Sequence, residues 1–336
     1  MTIDALKNPI NKDNVFIVAE IGNNHEGDYS LAEEMIYAAS ESGVDAVKFQ
    51  TFKPEKFVSK SDSSRLDQLT KFQLTYDQFY ELSIVAEKIG LNFFSTPLDI
   101  ESAYFLNSIQ SIFKISSGDN NYFDLIDTIG SFDKPTIIST GILDFPSIKK
   151  LHKYWIDNFN PVNLFLLHCV SSYPAEDKHL NLGAIDLLKN NFPGNAFGYS
   201  DHSIGNLSAL AAVAKGSKII EKHFTLDKDY SDFRDHKLSA DPAQMKKLVM
   251  QIRKIETMLS SDPECAQEPE RQIEPLVRRS IFAAKNLFKG DILTQEDIIF
   301  LRPGDGLTQK DKSRVINKKI IIDIKSGQKI SDKFLE

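Results

Sequence analysis

Short apolar runs alternate with longer segments of helical periodicity along most of this chain. The runs span four to six residues and are rich in β-branched and aromatic side chains, which is typical of buried strands. This alternation favours a parallel sheet whose strands are joined by crossover helices. We predict eight strands, at Val15–Ala19, Val44–Phe49, Asn92–Ser95, Ile112–Ile115, Thr136–Ser139, Leu164–His168, Ala196–Tyr199 and Lys218–Lys222.

The segments between the predicted strands carry helix signals. After the first strand, Leu31, Met35 and Ala39 recur at helical spacing. Near the end of the series, Asp241 can cap a long last helix that has Pro242 in its first turn. Eight βα units within about 250 residues predict a TIM (β/α)8 barrel, which is an α/β fold.

The chain divides into a large and a small domain. We assign the barrel to residues 1–262, where the regular alternation ends. The stretch SSDPECAQEPERQIEP contains three prolines and almost no large apolar side chain, which predicts an interdomain linker at residues 263–278. Residues 279–336 carry short apolar runs punctuated by glycines and indicate a compact module of short strands and turns, whose own core is marginal.

The composition excludes several classes of protein. With 336 residues, of which 41% are hydrophobic and 26% charged, the chain is globular rather than disordered or fibrous. A net charge of −7 argues against binding to nucleic acid or to an anionic membrane. The two cysteines, Cys169 and Cys265, fit a reducing cytoplasm, and we predict neither a signal peptide nor a transmembrane segment.

Polar side chains stand at the carboxyl ends of nearly all the predicted strands. In a TIM barrel these ends converge on one mouth, so residues that are distant in sequence can share a pocket. The alternative, that strand ends are polar only because loops are polar, explains single hydroxyls better than repeated lysines and histidines. The predicted pocket draws on Glu20, Lys48, Gln50, Thr96, Lys114, Ser117, Ser139, Thr140, His168, Ser200, Asp201, His202, Glu221 and His223.

Two kinds of chemistry are indicated by these strand ends. His202 and His223 end neighbouring strands about 5 Å apart, so both imidazoles can reach one divalent metal ion. Waters, substrate oxygen and a carboxylate such as Glu20 would complete an open Lewis-acid site. Lys48 and Lys114 can anchor an anion or form a Schiff base, and the hydroxyls around them favour the anion.

Eight motifs, in a fixed order along the chain, carry a resemblance to a known family. They are AEIGNNHEG from Ala19, VKFQTF from Val47, FSTP from Phe94, FKISSGD from Phe113, STG from Ser139, HCVSSYP from His168, YSDHS from Tyr199 and EKHFTLD from Glu221. Together they resemble the sialic acid synthase family. The tail, with RRSIFAAKNLFKGDILTQEDI and LRPGDGL, resembles the antifreeze-like SAF domain of that family, so the resemblance covers nearly the whole chain.

The resemblance implies a reaction and a catalytic set. That family condenses phosphoenolpyruvate with an open-chain N-acylated hexosamine, giving a nine-carbon 2-keto-3-deoxy acid and inorganic phosphate. By the resemblance, His202 and His223 hold Mn²⁺ or Mg²⁺, which polarises the sugar aldehyde for attack by C3 of phosphoenolpyruvate. Glu20 would orient a metal-bound water, and water adds at C2 before phosphate leaves by C–O cleavage. The residues expected to grip the phosphate and carboxylate are Lys48, Thr96, Lys114, Ser117, Ser139, Ser171 and Ser200.

The acceptor sugar is expected to meet a different group of residues. Arg302 of the SAF domain would approach the N-acyl group in the partner's barrel of a domain-swapped homodimer, which would also cover the small domain's limited core. Asp119, Ser171 and the stretch SDFRDH depart from the common pattern of the family. N-acetylmannosamine and the diacetamido precursors of legionaminic or pseudaminic acid therefore all stay open as acceptors. By the resemblance the other sugar contacts are Gln50, Asp119, Tyr173 and Asp235.

Two rival functions belong to other classes. A Schiff-base aldolase would use Lys48, Lys114 or Lys222 as an amine nucleophile and would need no metal. A carbohydrate-binding or ice-binding protein built on the SAF module would release no phosphate from phosphoenolpyruvate. A large barrel with a polar mouth is superfluous to that second function.

Overall fold

The computed structural model describes residues 14–259 and 262–336. The amino-terminal residues, in which we predict no signal peptide, lie outside the described part of the chain. The chain divides into two compact units, residues 1–260 and residues 261–336.

The larger unit is a barrel of eight parallel strands in its described residues, as the sequence predicted. Hydrogen-bonded neighbours follow the order β3-β2-β1-β8-β7-β6-β5-β4, and β3 also packs against β4, which closes the ring. Each strand overlaps the range predicted for it. The strands are β1 (Phe16–Gly22), β2 (Ala46–Thr51), β3 (Asn92–Pro97), β4 (Phe113–Ile115), β5 (Thr136–Ser139), β6 (Leu164–Cys169), β7 (Ala196–Asp201) and β8 (Ile219–His223).

Helices connect successive strands, and side-chain caps start several of them. Asp28 Oδ1 accepts from the amide of Leu31 at 3.1 Å, and Asp241 Oδ1 accepts from the amide of Gln244 at 2.8 Å, as the sequence predicted for Asp241. Each such cap contributes about 1 kcal/mol. The helices are α1 (Tyr29–Glu41), α2 (Pro54–Phe57), α3 (Ser63–Phe72), α4 (Tyr76–Lys88), α5 (Ile100–Leu106), α6 (Phe123–Ser131), α7 (Phe145–Asn158), α8 (Gly183–Asn191), α9 (Leu207–Ala214), α10 (Arg234–Leu238) and α11 (Pro242–Leu259).

Two apolar layers hold the barrel together. One lies between strands and helices and includes the buried side chains of Ile17, Phe49 and Trp155. Successive residues of a strand alternate between the two layers, so the inward-facing residue nearest the carboxyl end projects into the barrel mouth. The inner layer consists of Phe16, Val18, Ala46, Phe94, Ile112, Ile137, Phe165, Leu167, Ala196 and Ile219.

The smaller unit contains an antiparallel pair, β9 (Ser280–Ala283) and β10 (Ile298–Leu301), with helices α12 (Glu268–Val277) and α13 (Lys312–Val315). The segment predicted as a linker, 263–278, therefore carries a helix. Pro269 lies in the first turn of α12, which needs no amide donors, whereas Pro275 lies inside the helix. The amide of Gln267 donates to Glu270 at 3.1 Å, a capping signal that the sequence interpretation overlooked. The core of this unit is Ile281, Ala283, Leu287, Leu293, Val315, Ile320, Ile324 and Ile330.

Two further predictions from the sequence concern membrane-spanning segments and the cysteines. In the described residues, no helix has both the length and the apolar character needed to cross a membrane. Cys169 and Cys265 are both free thiols, the first buried and the second exposed.

Candidate active site

A pocket of about 300 Å³ lies at the carboxyl ends of the barrel strands. All eight strands contribute to its wall, because each places its last inward-facing side chain at the mouth. The structure thus brings together residues that the sequence separates by some two hundred positions. The predicted residues that line the pocket are Glu20, Lys48, Gln50, Thr96, Lys114, Ser117, Ser139, Ser171, Tyr173, Ser200, His202, Glu221, His223 and Asp235.

Some strand-end residues do not face this pocket. Thr140 Oγ1 donates to the carbonyl of Leu167 at 3.1 Å, and His168 Nε2 bonds the carbonyl of Leu180 at 2.8 Å; both line a neighbouring cavity. Asp201 is fully buried behind the barrel wall. The expectation that these three side chains share the pocket is therefore wrong, since a strand end points inward only at alternate residues.

Two predicted sugar contacts also lie outside the pocket wall. The Asp119 carboxylate accepts a hydrogen bond from Ser116 Oγ at 2.6 Å within the turn after β4. Ser116 lines the pocket, whereas Asp119 does not. Burial raises the pKa of the Asp119 carboxyl. Arg302 belongs to the smaller unit, directly after β10. The sugar-binding roles of Asp119 and Arg302 stay predictions.

Four buried charges form a layer across the pocket floor. Lys114 Nζ lies 3.0 Å from Glu221 Oε1, and Lys48 Nζ lies 2.7 Å from Glu20 Oε2. A longer contact of 3.6 Å joins Lys48 to the second oxygen of Glu221. Each of these side chains is at most 6% exposed. Hydroxyls complete the layer, with Lys48 donating to Thr96 at 3.2 Å and Ser200 donating to Glu221 at 2.7 Å.

Burial and mutual attraction set the protonation of this layer. Burial raises the pKa of Glu20 to about 7, although the charge of Lys48 opposes it. Burial would also raise the pKa of Glu221, but Lys114 and Lys48 outweigh it and hold that pKa well below its usual range. Burial lowers the pKa of Lys114. The floor therefore keeps Glu221 ionised as the counter-ion of two lysines and leaves Glu20 able to exchange a proton near neutral pH.

Two imidazoles stand side by side above this layer. The ring centroids of His202 and His223 are 5.4 Å apart. His202 Nδ1 bonds the carbonyl of Val170 at 2.8 Å, which leaves Nε2 as the nitrogen with a free lone pair. Burial lowers the pKa of both rings, and in His223 the neighbouring His202 lowers it further. Both imidazoles are thus neutral, the form in which histidine binds metals.

The donor set fits an open metal site rather than a closed one. His223 Nδ1 is buried and has no hydrogen-bond partner among the described residues. The same part of the chain contains no cluster of three or more His, Cys, Asp or Glu side chains suited to hold a metal. Two protein ligands with free positions is the arrangement of a site that shares its ion with substrate and water.

A group of small donors packs around Gly141 beside the lysines. A Cβ on Gly141 would lie 2.6 Å from Ser117 Oγ and from Ser171 Oγ, and 2.7 Å from Cys169 Sγ. Only glycine lets these side chains approach so closely. The hydroxyl of Ser139 is buried and unpaired within the described residues. Hydroxyls next to buried ammonium groups suit the oxygens of a phosphate or carboxylate.

Another part of the wall is aromatic and carries an arginine. The rings of Tyr173 and His202 lie 4.3 Å apart, and the Arg234 guanidinium sits 4.9 Å from the Tyr173 ring. Arg234 Nε is 3.3 Å from Asp235 Oδ1. Burial raises the pKa of Asp235, although Arg234 and Arg65 oppose it. This wall offers rings and hydrogen-bonding groups of the kind that recognise sugars.

Sequence interpretation gave no role to several pocket residues. The strand-end pattern did place Glu221 in the pocket, two positions before His223 on β8, but it gave this carboxylate no part in the chemistry. Asn23 lies in a turn, Arg65 on α3 and Arg234 at the start of α10, where no strand periodicity marks them. Conversely, Lys222 does not line the pocket, because it points to the other side of β8 and pairs with Asp201 at 2.9 Å.

Comparisons with known proteins agree with this geometry. A model of the NeuB family matches residues 35–263, and a model of the SAF domain matches residues 278–336. The chain belongs to the NeuB family. It resembles the N,N'-diacetyllegionaminic acid synthase of Legionella pneumophila, with 39% identity over 93% of this chain and 92% of that protein. It also resembles the pseudaminic acid synthase of Campylobacter jejuni, with 33% identity over 95% of this chain and 96% of that protein.

A solved structure supports the NeuB assignment. The N-acetylneuraminic acid synthetase of Leptospira borgpetersenii superposes with a TM-score of 0.73 and 33% identity, over 77% of this chain and 90% of that one. The resemblance to the sialic acid synthase family, the barrel with a SAF domain and the prediction of a synthase-type enzyme are thus confirmed. The individual roles of the site residues stay predictions.

Proposed function

We propose that this enzyme condenses phosphoenolpyruvate with an open-chain N-acylated hexosamine and water to give a nonulosonic acid and inorganic phosphate. One observation carries the proposal: one pocket lined by buried side chains joins two lysines and several hydroxyls to two imidazoles. The first group suits an anionic substrate, and the second suits a carbonyl substrate activated by a metal ion.

Phosphoenolpyruvate would occupy the side of Lys48 and Lys114. Its phosphate and carboxylate need cations and donors, and the hydroxyls of Ser117, Ser139 and Ser171 stand next to these ammonium groups. Glu221 supplies the counter-charge when no anion is bound, which keeps two neighbouring lysines compatible with burial. The pocket is therefore preorganised for an anion.

The acceptor aldehyde would lie beneath His202 and His223. A bound Mn²⁺ or Mg²⁺ would supply Lewis-acid polarisation of the aldehyde oxygen. The protein holds His202 Nε2 ready by fixing its Nδ1 on the Val170 carbonyl. The Tyr173 ring packs against His202 at a tilt of 37°, with the ring centroids 4.3 Å apart.

The residues then divide the steps of the reaction between them. C3 of phosphoenolpyruvate attacks the aldehyde carbon, and the aldehyde oxygen takes up a proton. Water adds at C2, and Glu20 can accept its proton because the pKa of this carboxyl lies near 7. Cleavage of the C2–O bond expels phosphate, whose charge Lys48 and Lys114 stabilise, and leaves the 2-keto group.

A diacetamido sugar is the second candidate acceptor. The relative from Legionella, a legionaminic acid synthase by name, is 39% identical, against 33% for the pseudaminic acid synthase of Campylobacter and the N-acetylneuraminic acid synthetase of Leptospira. This margin favours the precursor of legionaminic acid over N-acetylmannosamine. Direct comparison of the acceptors must decide between them.

We further propose a cytoplasmic, domain-swapped homodimer in which Arg302 of one protomer recognises the N-acyl group in the partner's barrel. The support is the SAF domain match and the small core of residues 278–336. Arg302→Ala should raise the KM of the amino sugar and leave the KM of phosphoenolpyruvate unchanged. An unaltered sugar KM would remove the case for Arg302.

The decisive experiment supplies phosphoenolpyruvate together with each of three acceptors: N-acetylmannosamine and the two diacetamido sugars. For one of the acceptors we expect phosphate release, together with a product in the mass spectrum that contains the carbons of both phosphoenolpyruvate and the sugar. Turnover in H₂¹⁸O should place the label in the C2 carbonyl, because the C–O bond breaks. Borohydride trapping of a pyruvate–lysine adduct, with turnover indifferent to EDTA, would instead establish the aldolase.

A further inference from the structure

Asn23 is a pocket residue to which the proposed reaction gives no role. It follows β1 directly, is 6% exposed and lines the pocket. Backbone hydrogen bonds fix the turn around it, from the Asn24 amide to the Ile21 carbonyl and from the Glu26 amide to the Asn23 carbonyl, each at 2.9 Å. The turn therefore fixes the backbone position from which the Asn23 side chain projects.

Asn23 ends a relay of three side chains on the pocket wall. Asn23 Nδ2 donates to Gln50 Oε1 at 2.9 Å, and Gln50 Nε2 donates to Glu20 Oε1 at 3.2 Å. The other oxygen of Glu20 faces Lys48. Gly22 makes room for the relay, because a Cβ there would lie 3.1 Å from Glu20 Oε1 and 3.4 Å from Gln50 Nε2.

The chemistry of the groups gives this relay one direction. In its ionised form the Glu20 carboxylate only accepts hydrogen bonds, so Gln50 then turns its NH₂ towards Glu20 and its carbonyl towards Asn23. Asn23 must then give its own NH₂ to Gln50. Its Oδ1 is left over, buried, with no donor to it in the described part of the chain. An unpaired buried acceptor is costly unless a ligand brings a donor.

We propose that Asn23 binds the acceptor sugar, with Oδ1 accepting a hydrogen bond from one of its hydroxyls or from its amide N–H. This inference rests on the proposed function and deepens it. Phosphoenolpyruvate at neutral pH presents only carboxylate and phosphate oxygens, which accept hydrogen bonds and cannot donate them. A polyhydroxy amido aldehyde carries several donors, so Oδ1 distinguishes the sugar from the other substrate.

Variants of Asn23 test this role through the separate KM values of the two substrates. Asn23→Leu keeps the size of the side chain and removes its oxygen, and Asn23→Ser is a smaller polar replacement that guards against misfolding. Both should raise the sugar KM at least tenfold and leave the KM of phosphoenolpyruvate within twofold. An unchanged sugar KM, or an equal rise in both KM values, would overturn the proposal.

A matched control comes from Asn163, at the amino end of β6 and so at the opposite end of the barrel. It is 1% exposed, and its Oδ1 is likewise unpaired among the described residues. Asn163→Leu should leave both KM values unchanged. If it raises the sugar KM as Asn23→Leu does, the effect reports loss of structure and the proposal fails.

Deoxygenated acceptors identify the partner group. The analogue that lacks the recognised hydroxyl should bind the wild type at least tenfold more weakly, and it should bind Asn23→Leu no more weakly than the full sugar does. If, for every analogue including the N-alkylated amide, the loss of affinity caused by the analogue is the same in Asn23→Leu as in the wild type, the proposed contact is wrong. If the wild type released no phosphate at all, the proposed function would be wrong. Calorimetric titration of the wild type and of Asn23→Leu with the sugar would still show whether Asn23 contributes to sugar binding.

Discussion

Lys114 and Glu221 face each other across the barrel mouth, with Nζ 3.0 Å from one carboxylate oxygen and 3.1 Å from the other. Because Glu221 also lies 3.6 Å from Lys48, one carboxylate balances two buried ammonium groups. We expect Glu221→Gln to destabilise the substrate-free protein by about 3 kcal/mol, since removal of one partner leaves a buried charge uncompensated. Urea unfolding measures this loss.

Added phosphate separates this effect from general damage. An anion replaces the missing counter-charge, so phosphate should stabilise Glu221→Gln more than it stabilises the wild type. The control is Glu176→Gln, because Glu176 pairs with Lys178 at 2.6 Å on the surface and is 66% exposed. That pair should contribute no more than about 1 kcal/mol. Equal stabilisation of variant and wild type by phosphate would contradict the charge-balance account.

The histidine pair predicts a metal requirement. EDTA should abolish turnover, and Mn²⁺ should restore it. His202→Ala and His223→Ala should each weaken Mn²⁺ binding by about a hundredfold or more, since even outer-shell changes cost 10- to 100-fold. Calorimetry or electron paramagnetic resonance on the metal-stripped protein measures the affinity.

His152→Ala is the control for these variants. His152 stacks on Phe192 at 4.2 Å and bonds Asn195 at 3.0 Å, and it does not line the pocket. Its loss should leave Mn²⁺ affinity untouched. Normal Mn²⁺ binding by both His202→Ala and His223→Ala would refute the assignment of the metal ligands.

His25 predicts a loss of stability in mild acid. Burial lowers its pKa to about 4, and its Nδ1 accepts from the amide of Gly27 at 3.0 Å. Between pH 6.5 and 4 the unfolded chain binds a proton at this histidine that the folded chain does not, so stability falls as the pH drops through this window. The shift corresponds to about 3 kcal/mol.

His25→Asn isolates this contribution, because an asparagine oxygen can still accept from Gly27 and does not titrate. Urea unfolding at pH 7 and pH 4.5 should show a smaller loss in the variant than in the wild type. The variant's own stability at pH 7 serves as its reference. Identical pH dependence of both proteins would mean that other groups carry the acid sensitivity.

A second buried ion pair lies behind the pocket wall. Lys222 Nζ is 2.9 Å from Asp201 Oδ2, and Ser203 and Ser208 donate to the same carboxylate at 2.7 and 2.9 Å. Asp201→Asn should cost about 3 kcal/mol, because it leaves the Lys222 ammonium buried without a counter-ion. Adding Lys222→Met should recover part of that loss.

Denaturant unfolding of the wild type, both single variants and the double variant completes the cycle. If the change in the free energy of unfolding of the double variant equals the sum of the two single changes, the two side chains are not coupled. Borohydride trapping is a separate readout, and Lys222→Met should not alter it, since Lys222 faces away from the pocket.

Strand periodicity explains how much of the molecule was predictable. The strands and their inward-facing polar ends follow from local sequence, so the sequence alone places Lys48, Lys114 and His223 in the pocket. Thr140 and His168 were misplaced, because a strand end alone does not say which side its last residue faces. The residues predicted to contact the acceptor sugar came from the resemblance to the family and not from strand periodicity.

Other features depend on contacts between distant segments. The balance of Lys48 and Lys114 by Glu221 arises only when β2, β4 and β8 close into one ring, and sequence gives no register between separate strands. Asn23 stands in a turn, where no repeating pattern marks which side chains face inward. That its side-chain oxygen is unpaired can be recognised only once the hydrogen bonds of the neighbouring side chains are known.

Glu221, Lys222 and His223 are consecutive, yet the first and third serve the cavity and the second serves the wall behind it. Loss or gain of a single residue within β8 would exchange the two sides. The Lys222 ammonium would then enter the cavity, while a carboxylate and an imidazole were driven against the surrounding helices. Evolution can lengthen or shorten the loops on either side of this strand, but it must conserve the number of residues within it.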